Sequence, residues 1–137
     1  MVRISRNFLD EMVAHAKADL PNECCGILAG QDGTVTKAFR MSNVEASPFR
    51  FSMDPGELVK VDTEAGDNGW DLIAIYPSHT GSAAYPSDTD VRIAGGTAEL
   101  WPDVRYLLVS LLDMETPSVR VFQIVGGEIT EESLEGT

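Results

Sequence analysis

The stretch from Leu72 to Ala94 constrains this chain more than any other. Leu72-Ile73-Ala74-Ile75 is a short apolar run of the kind that forms a buried strand. Tyr76 to Pro86 follows as a loop built mostly of small residues, with His79 inside it. Ser87-Asp88-Thr89-Asp90 then leads into Val91-Arg92-Ile93-Ala94, a helix start of the capping-box kind. Ser87 caps, and Asp90 stands in the first turn, where its charge suits the positive helix end. A strand end, a loop and a helix N-terminus thus bring an imidazole, a hydroxyl and a carboxylate towards one place.

The remaining elements follow from periodicity and turn chemistry. Ile4, Phe8, Met12, Val13, Ala16 and Leu20 recur at helical spacing, which predicts a helix over Ser5–Leu20 that Pro21 stops. Cys24–Gly30 and Thr34–Met41 read as strands joined by a turn at Gln31-Asp32-Gly33. Phe49-Arg50-Phe51-Ser52 alternates as a strand does. Asp54-Pro55-Gly56-Glu57 is a second helix start, running to about Ala65. The helix after Ser87 is expected to reach about Gly95. Val104–Leu111 and Val119–Val125 are β-branched-rich runs of strand type, and Glu128-Ile129-Thr130 makes a last strand. The acidic tail 131–137 is expected to be loose. The mixture of hairpins and helices defines an α/β or α+β class, a mixed sheet with helices packed against it.

A length of 137 residues suits a single domain over 1–137, and an apolar fraction of 43% is enough for a core. The net charge of -12 argues against nucleic acid or an anionic membrane as partner, since both call for clustered Lys and Arg. No apolar run has the length of a membrane span, and the first residues lack a signal-peptide core. The two cysteines, adjacent at 24 and 25, make no disulfide framework. These features point to the cytoplasm.

Taken singly, each polar residue has a plain reading. Asp90 is a first-turn acid, Ser87 an N-cap, Glu23 a surface carboxylate between a proline-ended helix and a strand. His15, mid-helix near Lys17 and Asp19, reads as a solvated surface residue. At least one of Cys24 and Cys25 is a core position; the other is only weakly a substitute metal ligand. Pro77 ends a strand and holds Tyr76 extended.

The spacing changes those odds. His79 and Ser87, with seven residues between them, and Asp90, three beyond Ser87, resemble the metal motif of the JAMM (Jab/MPN-domain) metalloproteases, whose pattern is His-x-His, seven residues, Ser, two residues, Asp, with a Glu upstream. Glu23, in Pro21-Asn22-Glu23-Cys24-Cys25-Gly26, matches that Glu. The resemblance spans Ile4 to about Ile129 and implies a single MPN-type domain, a curved mixed β-sheet flanked by helices. It implies His79 and Asp90 as zinc ligands, Glu23 as general acid and base acting on a metal-activated water, and Ser87 as a donor to the oxyanion. The substrate class it implies is the C-terminal tail of a ubiquitin-like or sulfur-carrier protein, cut after its diglycine. The sequence around the loop looks most like actinobacterial members that release cysteine from a small sulfur carrier. A homodimer is compatible with it. One position departs: the first histidine belongs at 77, where this chain has Pro77, which offers a metal no lone pair. With two protein ligands where catalytic zinc usually has three plus water, zinc is expected to be weakly held or absent and the chain impaired. The alternative is a non-catalytic MPN-type scaffold or binding module.

Overall fold

Turn and cap chemistry places most element boundaries. The computed structural model describes Met1–Thr137. In chain order it contains β1 (Val2–Ile4), α1 (Arg6–Ala18), β2 (Cys25–Gln31), β3 (Thr34–Met41), α2 (Pro55–Asn68), β4 (Asp71–Ile75), β5 (Ser78–His79), α3 (Asp88–Leu100), β6 (Arg105–Ser110), β7 (Ser118–Val125), β8 (Glu128–Glu132) and β9 (Leu134–Gly136). The β2–β3 hairpin turns on Asp32 and Gly33, both at positive φ, as a tight hairpin requires. Asp54 caps α2 by accepting from the N–H groups of Gly56 (2.7 Å) and Glu57 (3.2 Å), with Pro55 at the first helical position. Gly69, at φ 69°, ends that helix in the left-handed conformation.

The strands form one mixed sheet in the order β8-β7-β6-β4-β2-β3-β1-β9, with β5 added beside β6. The β4–β6, β5–β6, β1–β3 and β1–β9 pairs are parallel; the others are antiparallel. Only Ser133 separates β8 from β9, yet β8 pairs with β7 and β9 with β1. One run of chain therefore serves both ends of the strand order, and the sheet curls round to meet it. Helix α1 covers one face through Met12 and Ala16, packed with Val2, Ile4, Leu28, Tyr76 and Leu107. Helices α2 and α3 cover the other through Val61 and Ala94, packed with Ile27, Ile75 and Tyr106.

Four expectations need correction. The acidic end is not loose. Arg105 takes Glu132 at 2.7 Å and Arg120 takes Glu131 through two bonds of 2.7 and 2.9 Å, so its charges are paired along β8. Residues 49–52 form no strand. The Asn43 side chain takes the C=O of Arg50 and the N–H of Ser52, groups that a ladder would have used. Helix α3 passes through Gly95 and Gly96 to Leu100, since neither glycine adopts a positive φ. Its continuation, Thr97 to Leu100, carries residues that tolerate a helix.

The fourth correction is His15, which is only 3% exposed. Its Nδ1 lies 2.7 Å from the Tyr76 hydroxyl and its Nε2 3.3 Å from Asp19 Oδ2. Burial lowers its pKa, although Asp19 pulls the other way. The Tyr76 ring fills the space over Gly26, where a Cβ would overlap it. Tyr76→Phe removes one partner of a fully buried hydrogen bond and leaves His15 facing carbon. We expect a loss of about 1–3 kcal/mol, read as a lower urea midpoint with an unchanged slope. An unchanged midpoint would show that the bond contributes nothing to the fold.

Candidate active site

Glu23, His79, Ser87 and Asp90 come together at one end of the sheet. Glu23 precedes β2, where its N–H donates to the Ser47 carbonyl (2.8 Å) and its own carbonyl accepts from Asn43 Nδ2 (3.0 Å). The residue is 5% exposed, and its Oε1 is buried with no hydrogen-bond partner. Burial is the largest influence on this carboxyl and pushes its pKa up to about 7. His79 opposes that rise, and Asp90 adds to it. A carboxyl poised near neutrality is suited to taking and giving protons.

His79 sits on β5, held to β6 by its carbonyl, which accepts from the Leu111 N–H (2.9 Å). Both ring nitrogens face acceptors: Nδ1 lies 2.9 Å from the Ala83 carbonyl and Nε2 2.8 Å from Asp90 Oδ2. Burial by itself lowers the pKa of this ring, but the Asp90 and Ala83 bonds outweigh it and the net direction is up. Two acceptors favour a doubly protonated ring. Asp90, the third residue of α3, also accepts from the Ser87 N–H at 2.9 Å, while Ser87 Oγ accepts from the Asp90 N–H at 3.1 Å. The capping box read from the sequence is therefore formed, and one carboxylate both ends a helix and orients His79. Ser87 acts as acceptor in that cap, so its hydroxyl proton remains for a group in the cleft. The cleft itself holds about 280 Å³ and is lined by Glu23, Phe49, His79, Gly81 and Ser87 among others.

Pro77 stands where alternation along the strand predicts. Ile75, Pro77 and His79 share one face, and Tyr76 and Ser78 the other; Ile75 packs with the α2–α3 side and Tyr76 with the α1 side. Pro77 is buried. Its carbonyl accepts from the Val109 N–H (3.0 Å), but it has no N–H to give back. The parallel ladder accordingly breaks between β4 and β5.

The donor set does not fit a catalytic zinc. His79 Nε2 and Asp90 Oδ2 lie 2.8 Å apart and bond each other, and no group of three His, Cys, Asp or Glu side chains is close enough to hold an ion. The cysteines do not complete it. Both are fully buried, burial pushes the Cys24 thiol up to about 12 and raises Cys25 as well, and neither belongs to a group of donors close enough to hold an ion. Sequence reasoning identified the four polar groups but missed Asn43 and the cleft wall at Phe49. An Asn in a loop is a common turn residue with no spacing to flag it.

This curved sheet, with a buried carboxyl and a capped helix start in one cleft, is a domain of the JAB type. The chain belongs to that family: the model for prokaryotic homologs of the JAB domain matches residues 5–125. It is 40% identical over 131 residues to the CysO-cysteine peptidase of Mycobacterium tuberculosis, covering 94% of this chain and 86% of the relative. It is 37% identical over 108 residues to the desampylase of Haloferax volcanii, covering 74% of each. Protein DSY2949 from Desulfitobacterium hafniense, solved in solution, superposes with a TM-score of 0.87 at 33% identity, covering 100% of this chain and 93% of the other. The family is one of hydrolases and is generally zinc-dependent.

Proposed function

We propose that this cleft receives the extended C-terminal tail of a ubiquitin-like or sulfur-carrier protein joined to an amine, and that Pro77 leaves hydrolysis slow or absent in the chain as it stands. The observation that carries this reading is the buried, unpartnered Glu23 carboxyl facing His79 and Ser87 across one cleft. The names of the relatives supply the substrate class, and the 40% identity to a CysO-cysteine peptidase favours cysteine as the amine, in the cytoplasm. The roles follow from position. Glu23 moves the proton, Ser87 donates to the oxygen that gains charge, and Asp90 fixes the His79 ring. A zinc ion in this family supplies a Lewis acid; here only His79 and Asp90 remain to hold it.

A second reading, a binding module that keeps the tail without cutting it, is favoured by Pro77 alone. The two separate on titration of the unmodified chain with a sulfur carrier ending in diglycine and with the same carrier extended by cysteine. Saturable binding of both, lost when the last four residues of the tail are removed, is the expected result. Release of cysteine at a rate above background distinguishes the enzyme from the module. Absence of binding to either carrier would overturn both.

A further inference from the structure

The side chain of Asn43, two residues past β3, spends its whole amide on the main chain. Its Nδ2 donates to the carbonyls of Glu23 (3.0 Å) and Arg50 (3.0 Å). Its Oδ1 accepts from the N–H groups of Glu45 (3.1 Å) and Ser52 (3.1 Å). An amide has two N–H groups and two lone pairs, so nothing is left over. The orientation is fixed as well, because exchanging oxygen and nitrogen would set N–H against N–H.

Loop 44–52 is closed around this residue. The Val44 N–H donates to the Ser52 carbonyl (2.9 Å), and Asn43 bridges Met53. Ala46, at φ 46°, is in the left-handed region that non-glycine residues avoid. From the middle of the loop the Ser47 carbonyl accepts the Glu23 N–H at 2.8 Å, and Pro48 and Phe49 line the cleft opposite. Thr80, on the far wall, donates to the Pro48 carbonyl (3.2 Å). Phe49 itself is 81% exposed at the rim.

Glu23 is thus gripped twice, at its N–H by the loop and at its carbonyl by Asn43. Its buried carboxyl oxygen has no partner, so the place of that carboxyl is inherited from the main chain. We propose that Asn43 is a positioning residue: it holds Glu23 and the Phe49 wall in one frame and so sets where the carboxyl stands in the cleft. This rests on the reading of Glu23 as the acid and base.

The test uses Asn43→Asp, which keeps both acceptor bonds and loses both donations, and Asn43→Ala, which adds no charge. In the unmodified chain, both should speed hydrogen exchange at the Glu23 amide while the amides of Leu107 and Leu108 keep their protection. In a Pro77→His background, both should lower kcat about tenfold or more, since small displacements of a reacting group are costly, with KM within about twofold of the parent. Adding Ala46→Gly relieves the left-handed strain and should recover thermal stability without recovering kcat. Recovery of kcat along with stability would show a merely structural role and overturn the proposal. Unchanged exchange at Glu23 would also overturn it, and that readout needs no activity. Absence of hydrolysis in Pro77→His with Asn43 intact would instead sink the functional reading, leaving the exchange measurement to judge Asn43.

Discussion

Replacing Pro77 by histidine should give a chain that retains stoichiometric zinc through dialysis and cuts a carrier extended beyond its diglycine end. The new imidazole would arise on the face shared by Ile75 and His79, beside the two donors already placed. Losing a group that merely supports a ligand costs about 10- to 100-fold in metal affinity or activity. A missing ligand costs more, so restoring it should gain more than about 100-fold by the same measure. Two side effects work in the same direction. Residue 77 regains an N–H for the ladder that now breaks between β4 and β5, and Tyr76 is freed from the restriction that a following proline imposes. Because His79 favours the doubly protonated form, an ion must displace the Nε2 proton that faces Asp90. Zinc uptake should therefore weaken as pH falls. Metal analysis and a cleavage assay on both forms check this. Stoichiometric zinc and rapid cleavage in the Pro77 form would show that another group completes the site. Zinc uptake by Pro77→His without hydrolysis would favour the binding module.

The site was legible in the sequence wherever its chemistry coincided with local rules. Ser87 and Asp90 were readable because a capping box has a fixed spacing, and the same carboxylate that caps also meets His79. Asp54 and Gly69 marked the ends of α2 for the same reason. What stayed hidden depended on partners far along the chain. His15 looked like a surface residue because Lys17 and Asp19 follow it; what covers it includes Tyr76, sixty-one residues on. The strand expected at 49–52 alternates correctly, but an Asn43 side chain outcompetes any neighbouring strand for its main chain. The acidic tail looked loose in the absence of its arginine partners, Arg105 and Arg120, which reach it only once β6 and β7 are in place. Strand β1 is three residues long, too short for alternation to stand out, yet it carries one edge of the sheet's closure.

Glu23→Gln should separate activity from stability in opposite directions. In the Pro77→His background it should remove about 10²- to 10⁴-fold of the rate, the usual share of a general acid–base group, because Gln keeps the shape but cannot carry the proton. Full activity in a folded Glu23→Gln protein would rule the role out. The stability effect is readable in the unmodified chain. The carboxyl is raised from 4.5 to about 7, chiefly by burial. Its contribution is therefore fully present below pH 4.5 and is lost as pH rises through 7, where the native state must hold a buried charge. The whole span is worth up to about 3 kcal/mol, and the open side of the cleft lowers that to about 1–2 kcal/mol by screening. Glu23→Gln has no charge to bury, so its unfolding free energy should exceed that of the parent at pH 8 and converge on it near pH 4.5. His79 titrates in both proteins and is itself raised in part by the Glu23 charge, so the difference between the two curves reports the carboxyl together with its interaction with His79. Parallel curves across that range would mean that Glu23 ionises freely, and that the cleft does not hold it poised for proton transfer.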